Sequence, residues 1–143
     1  MSIWFGQPTL DDITPLNKGT VGEVLGIEFS RIGDDALEAT LTVDDRVLQP
    51  TGILHGGVSV VLAESVCSVG ASLTLDPNKQ YAVGQEINAN HIRPGILGDV
   101  ITAHATPVSR GRRSQVWDIR LHNQHDKLVC ISRCTIAIVN RTD

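Results

Sequence analysis

An α+β fold is what this sequence predicts, with one antiparallel sheet of about six strands wrapped around a long central helix. Three observations carry that expectation. Six extended segments are separated by turn-forming Gly, Pro, Asn and Asp residues. One run, Val58–Leu75, holds 18 residues with a single charge, Glu64. The chain of 143 residues is long enough for one well-filled core, so residues 1–143 are expected to form a single domain.

The first elements are short. Thr9 is placed to cap a helix whose first turn holds Asp11 and Asp12, and Pro15 and Gly19 limit its length. A second helical turn, Val21–Leu25, ends at Gly26. Ile27–Ile32 and Ala36–Val43 then form a hairpin about Gly33-Asp34-Asp35. In its second strand Leu37, Ala39, Leu41 and Val43 face one way and Glu38, Thr40 and Thr42 the other. A loop over Asp44–Gly57 leads into the Val58–Leu75 helix, which should close at Asp76-Pro77-Asn78. Four more strands are expected, over Tyr81–Arg93, Val100–Ser109, Arg113–Asn123 and Lys127–Val139. The long helix is apolar around more of its circumference than one sheet face covers, which predicts a second subunit against it.

Composition excludes several classes. A formal net charge of -4 and 3% aromatic residues argue against nucleic acid as a partner. The Val58–Leu75 run reaches the lower edge of a membrane span. However, it contains a carboxylate and four serines and lacks flanking basic anchors, so it reads as a buried core helix. Met1–Gly6 lacks the basic start and apolar run of a signal peptide, so a reducing cytoplasm is the expected location. Cys67, Cys130 and Cys134 form neither a disulfide framework nor a CxxC motif. Cys130 and Cys134 would sit about 13 Å apart on one strand, too far to bridge. His104, His122 and His125 have no metal-ligand spacing, and no metal or cofactor is expected. The GxGxxG, P-loop and GxSxG patterns are all absent.

Glu64 is the most informative residue. An unpaired carboxylate on an apolar helix is costly to bury, so it has either a partner or a reaction. The structural alternative is an ion pair with an arginine or a place in a dimer seam. Ser68 lies one turn on, on the same helical face. Just upstream stand Gln49 and His55-Gly56-Gly57. Glycines at a loop–helix junction let the backbone approach a ligand, and first-turn N–H groups lack helical acceptors. The helix dipole favours negative charge there. A glycine pair is also an ordinary turn, and a lone histidine before a helix is also an ordinary polar loop residue. Together, an amide, an imidazole, free N–H groups and a carboxylate suit acyl transfer.

The run Gln49–Ser65 resembles the signature of the hotdog-fold acyl-CoA thioesterases. It is most similar to the branch holding the 1,4-dihydroxy-2-naphthoyl-CoA thioesterase of menaquinone synthesis and the enterobactin proofreading thioesterase. Ile32–Asp35 with Leu37–Thr40, Glu86–His91 and Gln115–Trp117 extend the likeness over nearly the whole chain. The resemblance implies a hotdog domain hydrolysing an aromatic acyl-CoA, with a dihydroxynaphthoyl or hydroxybenzoyl group among the candidates. Glu64 would be nucleophile or general base. The Gly56 N–H would polarise the thioester carbonyl, and Gln49 and His55 would position the thioester or water. Ser68 would contact the acyl group or water, and His91 and Arg93 the pantetheine or nucleotide. The resemblance also implies a homotetramer built from two dimers, with Glu64 facing Gln49 and His55 of the other subunit. Thr51 departs from the aromatic residue usual at its place, which leaves the acyl-pocket shape open.

Arg110-Gly111-Arg112-Arg113-Ser114 is the one dense basic run. It offers guanidinium forks to coenzyme A phosphates or is a solvated hairpin turn; the resemblance favours phosphate contact at Gly111, Arg112 and Arg113. Two other functions fit the same fold. One is an acyl-thioester hydratase or dehydratase, distinguished by a change in conjugation in place of thiol release. The other is a non-catalytic acyl-CoA-binding protein, although the chain has no basic helix for the DNA-binding part of a regulator.

Overall fold

The computed structural model describes residues 1–142. Helix α1 spans Leu10–Ile13, followed by a 3-10 turn at Thr14–Asn17, and α2 spans Val21–Leu25. Strands β1 (Glu28–Ile32) and β2 (Leu37–Thr42) form the expected hairpin. The long helix α3 spans Gly56–Leu73. Strands β3 (Gln80–His91), β4 (Val100–Arg110), β5 (Ser114–His122) and β6 (Leu128–Asn140) complete one antiparallel sheet. Its order is β1-β2-β4-β5-β6-β3, so β1 and β3 are the edges.

Local chemistry explains the small elements. In α1 the Asp12 carboxylate accepts the Thr9 N–H at 2.8 Å and the Thr9 hydroxyl at 2.7 Å. These bonds, the hydroxyl's first, hold Asp12 below the usual carboxylate range. Thr20 caps α2 by accepting the Gly22 N–H at 3.2 Å, and Gly26 ends it at φ 73°, a left-handed conformation suited to glycine. The Asp44–Gly57 connection contains a 3-10 turn, Asp45–Val47, that the sequence did not announce.

Helix α3 lies in a trough made by alternate strand residues. Leu37, Ala39 and Leu41 of β2, Ile101, Ala103 and Ala105 of β4, and Trp117, Ile119 and Leu121 of β5 are all buried. They alternate with half-buried or exposed neighbours. From the helix, Leu62, Ala63, Val66, Cys67 and Ala71 face this core. The helix is therefore not buried all round. Val61, Glu64, Ser65 and Ser68 lie on a half-buried face, at the 3–4 residue spacing of one stripe.

The helix begins and ends two residues earlier than expected, and both ends have a chemical reason. At its start, His55 serves as the cap. At its end, the Thr74 hydroxyl donates to the Ala71 carbonyl at 2.7 Å. Gln115 Nε2 donates to that hydroxyl at 2.8 Å, and Trp117 Nε1 donates to Gln115 Oε1 at 2.9 Å. Buried polar groups are thus satisfied in a chain that anchors the helix end to β5. Trp4 stacks on Trp117 with centroids 6.4 Å apart, and its Nε1 donates to the Gly33 carbonyl at 2.6 Å.

The fixed Trp117 ring disfavours any side chain at Gly70. A Cβ at Gly70 would lie 3.0 Å from the ring. Alanine gains about 1 kcal/mol of helix propensity over glycine, but overpacking against a pinned, fully buried indole costs about 1–3 kcal/mol. Gly70→Ala is expected to lower the urea midpoint with an unchanged m-value. An unchanged or raised midpoint would show that the indole moves aside.

Candidate active site

The loop before α3 is fastened by its backbone. His55 N–H donates to the Val47 carbonyl, Leu54 N–H to the Gly95 carbonyl and Gln49 N–H to the Ile53 carbonyl, each at 2.8 Å. Val47 and Leu54 are buried beneath it. The Arg46 guanidinium holds the Asp44 carboxylate at 2.7 Å and donates to the Val24 carbonyl at 2.7 Å. It ties the end of α2 to this loop and keeps Asp44 below the usual carboxylate range.

At the helix start, three of the first four N–H groups are used. His55 Nδ1 accepts the Gly57 N–H at 2.9 Å, and the His55 carbonyl accepts Val58 at 3.0 Å and Ser59 at 3.3 Å. The Gly56 N–H has no partner among the described residues. Because Nδ1 accepts, Nε2 is the ring nitrogen left to donate. One backbone donor and one ring donor are thereby left at the positive end of the helix dipole. His91 lies directly over this point. A Cβ at Gly56 would sit 2.6 Å from His91 Nε2, so a side chain there would displace the His91 ring from its place over the helix start.

Gly56 and His91 line a cleft of about 420 Å³ together with Gln49, Ile53, Ser59 and Arg93, and His55, the residue before Gly56, is not part of its wall. Ser59 was not anticipated from the sequence. Its place one turn into α3, four residues after His55, was the available signal. Gln49 turns its amide back onto its own loop, Nε2 donating to Thr51 Oγ1 at 2.7 Å while Oε1 accepts the Thr51 N–H.

Glu64 lies elsewhere. It follows Gly56 by eight residues, about 12 Å along the axis and about 80° around it. Its carboxylate occupies a second depression with Val21, Val61, Ser65 and Ser68. The expectation of a buried carboxylate is corrected here: Glu64 is half-buried, because its face of the helix looks past the sheet edge. It has no ion-pair or side-chain hydrogen-bond partner among the described residues. Gly84 of β3 gives it room, since a Cβ there would collide with Glu64 Oε1. Neither depression contains a metal-binding group of three or more His, Cys, Asp or Glu side chains among the described residues.

Gly111, Arg112 and Arg113 border a third depression with Leu75, Gln80 and Asn140. Gln80 begins β3 and His91 ends it, a separation of about 36 Å along the strand. Within one protomer, then, Gln49, His55, Gly56, His91 and Arg93 are brought together. Glu64 and Ser68 form a second group, and the arginine turn stands apart from both.

The arrangement divides carbonyl polarisation from carboxylate chemistry, and comparison with known proteins identifies the family. The sequence model of the Thioesterase superfamily matches residues 51–130, more than half of the chain. The chain belongs to that superfamily. The 1,4-dihydroxy-2-naphthoyl-CoA hydrolase of Escherichia coli is 45% identical over 96% of this chain and 99% of its own length. The proofreading thioesterase EntH of Cronobacter turicensis is 42% identical over 96% of this chain and 98% of its own. A solved thioesterase of Pseudomonas aeruginosa, crystallised as a glutamine-to-alanine mutant, superposes with a TM-score of 0.95. It shares 42% identity, covering 98% of this chain and 100% of that one. The present thioesterase thus has the expected hotdog fold and is a thioester hydrolase.

The seat of the carboxylate is testable in this thioesterase. Gly84 is exposed on the edge strand of a single chain, so Gly84→Ala should leave the fold of each chain in place while pushing Glu64 aside. Turnover is compared at an unchanged oligomeric state. Misplacement of a reacting group by about 1 Å costs on the order of 10²-fold, so turnover should fall about 10- to 100-fold. Unchanged turnover would mean that the Gly84–Glu64 contact has no role in hydrolysis.

Proposed function

We propose that the protein is a cytoplasmic acyl-CoA thioesterase for aromatic acyl groups, with each active site completed by two copies of the chain. The observation that carries this reading is the separation of Gly56 from Glu64 beside an unpaired edge strand. β3 pairs with β6 on one side only, leaving a 12-residue row of backbone groups open on the other. Antiparallel pairing of two β3 strands about Ile87 and Asn88 sets Gly84 of one copy opposite the partner's His91. Glu64 then faces the partner's Gly56, His55 and Gln49. In such a pairing the Gln80 end of one strand lies towards the His91 end of the partner's, so Arg112 and Arg113, beside Gln80, approach the partner's Arg93. Two such dimers make the tetramer that the family resemblance suggests.

Chemistry follows from that geometry. The Gly56 N–H, aided by the helix dipole, donates to the thioester carbonyl oxygen as negative charge develops on it. His55 Nε2–H and the Gln49 amide hold the thioester or the water. In one course the Glu64 carboxylate attacks the carbonyl carbon and expels coenzyme A thiolate, leaving an acyl anhydride. Water hydrolyses that anhydride to the free acid and the regenerated carboxylate, and a proton of the water ends on the thiolate. In the other course the carboxylate takes a proton from the water as its oxygen adds to the carbonyl. It passes that proton to the departing sulfur, so that coenzyme A leaves as the thiol. Ser68 stands beside the acyl group. Val21 and Val61 supply apolar wall, and Ser65 and Ser68 supply hydroxyls suited to a hydroxylated ring. A naphthoyl-CoA substrate named for the Escherichia coli relative supports the aromatic class. The three cysteines are free and buried, which suits a reducing compartment. Cys67 Sγ donates to the Glu64 carbonyl at 3.4 Å, and the neighbouring Cys134 thiol together with burial pushes the Cys67 pKa up and leaves it unreactive.

A thiol-release screen against benzoyl-, hydroxybenzoyl-, naphthoyl- and straight-chain acyl-CoA tests the substrate class. Aromatic esters should be preferred, and Glu64→Gln should keep the fold while lowering kcat about 10²–10⁴-fold. Near-normal turnover by that variant would overturn the role given to Glu64. Replacing Arg112 and Arg113 together by Ala should raise KM for acyl-CoA with kcat largely intact, because such contacts exist equally in the ground and transition states. The effect should shrink for an acyl-pantetheine ester. Equal loss on both substrates would remove the turn from phosphate binding.

A further inference from the structure

We infer that Thr51 is a positioning residue that holds the Gln49 carboxamide in one orientation for the reaction. This rests on the reading of Gln49 as part of the thioesterase site. Two bonds join the pair: Gln49 Nε2 donates to Thr51 Oγ1 at 2.7 Å, and the Thr51 N–H donates to Gln49 Oε1. The backbone beneath them is set by the Gln49-Pro50-Thr51-Gly52 turn. In it the Gly52 N–H donates to the Gln49 carbonyl at 2.9 Å, with Gly52 at φ 84°. Pro50 fixes its own φ, and glycine accepts the left-handed φ without strain. The Thr51 hydroxyl therefore sits on a rigid platform.

An amide carries two donors and two acceptor lone pairs. The N–H of Thr51 decides which end of the amide is oxygen, because only oxygen accepts there. The hydroxyl then holds the nitrogen end, so rotation about the last side-chain bond is blocked at both atoms. One N–H of Nε2 and one lone pair of Oε1 remain for the cleft that Gln49 helps to line. Thr51 itself is not among the residues forming that cleft. It acts through Gln49. Glutamine loses much rotamer freedom when it is fixed, and the clamp meets that entropic cost before substrate arrives. Water can replace the hydroxyl as an acceptor at this exposed position but cannot hold the amide plane.

Thr51→Val keeps the backbone donor and the side-chain shape while removing the hydroxyl; Thr51→Ser keeps both polar groups. Loss of one neutral hydrogen bond predicts a kcat about 3- to 10-fold lower in Thr51→Val, with KM within about 2-fold. Thr51→Ser should stay within about 2-fold of the wild type in both. In a Gln49→Ala background, Thr51→Val should have no further effect, whereas a structural role would add its loss to both backgrounds. The Gln49 side-chain amide resonances, identified by their disappearance in Gln49→Ala, give a readout independent of activity. They should move towards free-amide positions in Thr51→Val and return in Thr51→Ser. Unmoved resonances, or losses that multiply with Gln49→Ala, overturn the inference. A wild-type protein that releases no thiol from any acyl-CoA overturns the parent reading instead, and the resonances still decide whether the clamp exists.

Discussion

The placement of α3 governs everything else in the molecule. One side of the helix is committed to the trough of the sheet by Leu62, Ala63, Val66, Cys67 and Ala71. Its two ends are fixed by different devices: an imidazole cap at Gly57, and the Thr74–Gln115–Trp117 chain at the other end. A helix held at both ends cannot rotate or slide. The unpartnered Gly56 N–H and the Glu64 carboxylate are thereby set at a fixed separation and a fixed angle. Neither group is used up within the fold, and both are held where a ligand can use them.

Much of this was legible in the sequence because it depends on local rules. Gly26, Gly33-Asp34-Asp35 and Asn123–Asp126 mark turns by backbone chemistry, and the alternation Leu37, Ala39, Leu41 marks a strand with one buried face. The lone charge of α3 singled out Glu64. The six strands were recovered with shifts of only a few residues at their ends, since fraying and caps, not hydrophobic pattern, set those ends.

What the sequence withheld is through-space pairing. Strand order is not written in any local pattern, so β3 returning to the edge beside β6 could not be read. From that placement follow the seat of Glu64 against Gly84 and the imidazole of His91 over Gly56. Within one chain Glu64 is only half-buried, because the sheet covers one side of α3 and leaves the stripe of Val61, Glu64, Ser65 and Ser68 open, as the excess apolar circumference of the helix predicts. The fold between Gln49 and Thr51 was equally hidden, because side-chain-to-loop bonds leave no period in the sequence.

The electrostatics are consistent with a divided site. A chain of net charge -4 repels a polyanionic cofactor at long range, so attraction has to come from short-range basic groups. Arg93 stands at one end of β3 and the arginine turn at the other, and the proposed antiparallel dimer would bring them together. The central claim is that one hydrolytic site draws on two chains, and mixed dimers test it most directly. Gln49→Ala and Glu64→Ala proteins, each left with a small residual activity alone, are combined through reversible dissociation. About half of the random dimers are then mixed and each restores one intact site, so activity should return to about a quarter of the wild type. Mixed dimers that demonstrably form yet recover no activity would place Gln49 and Glu64 in the same site of a single chain and contradict the account.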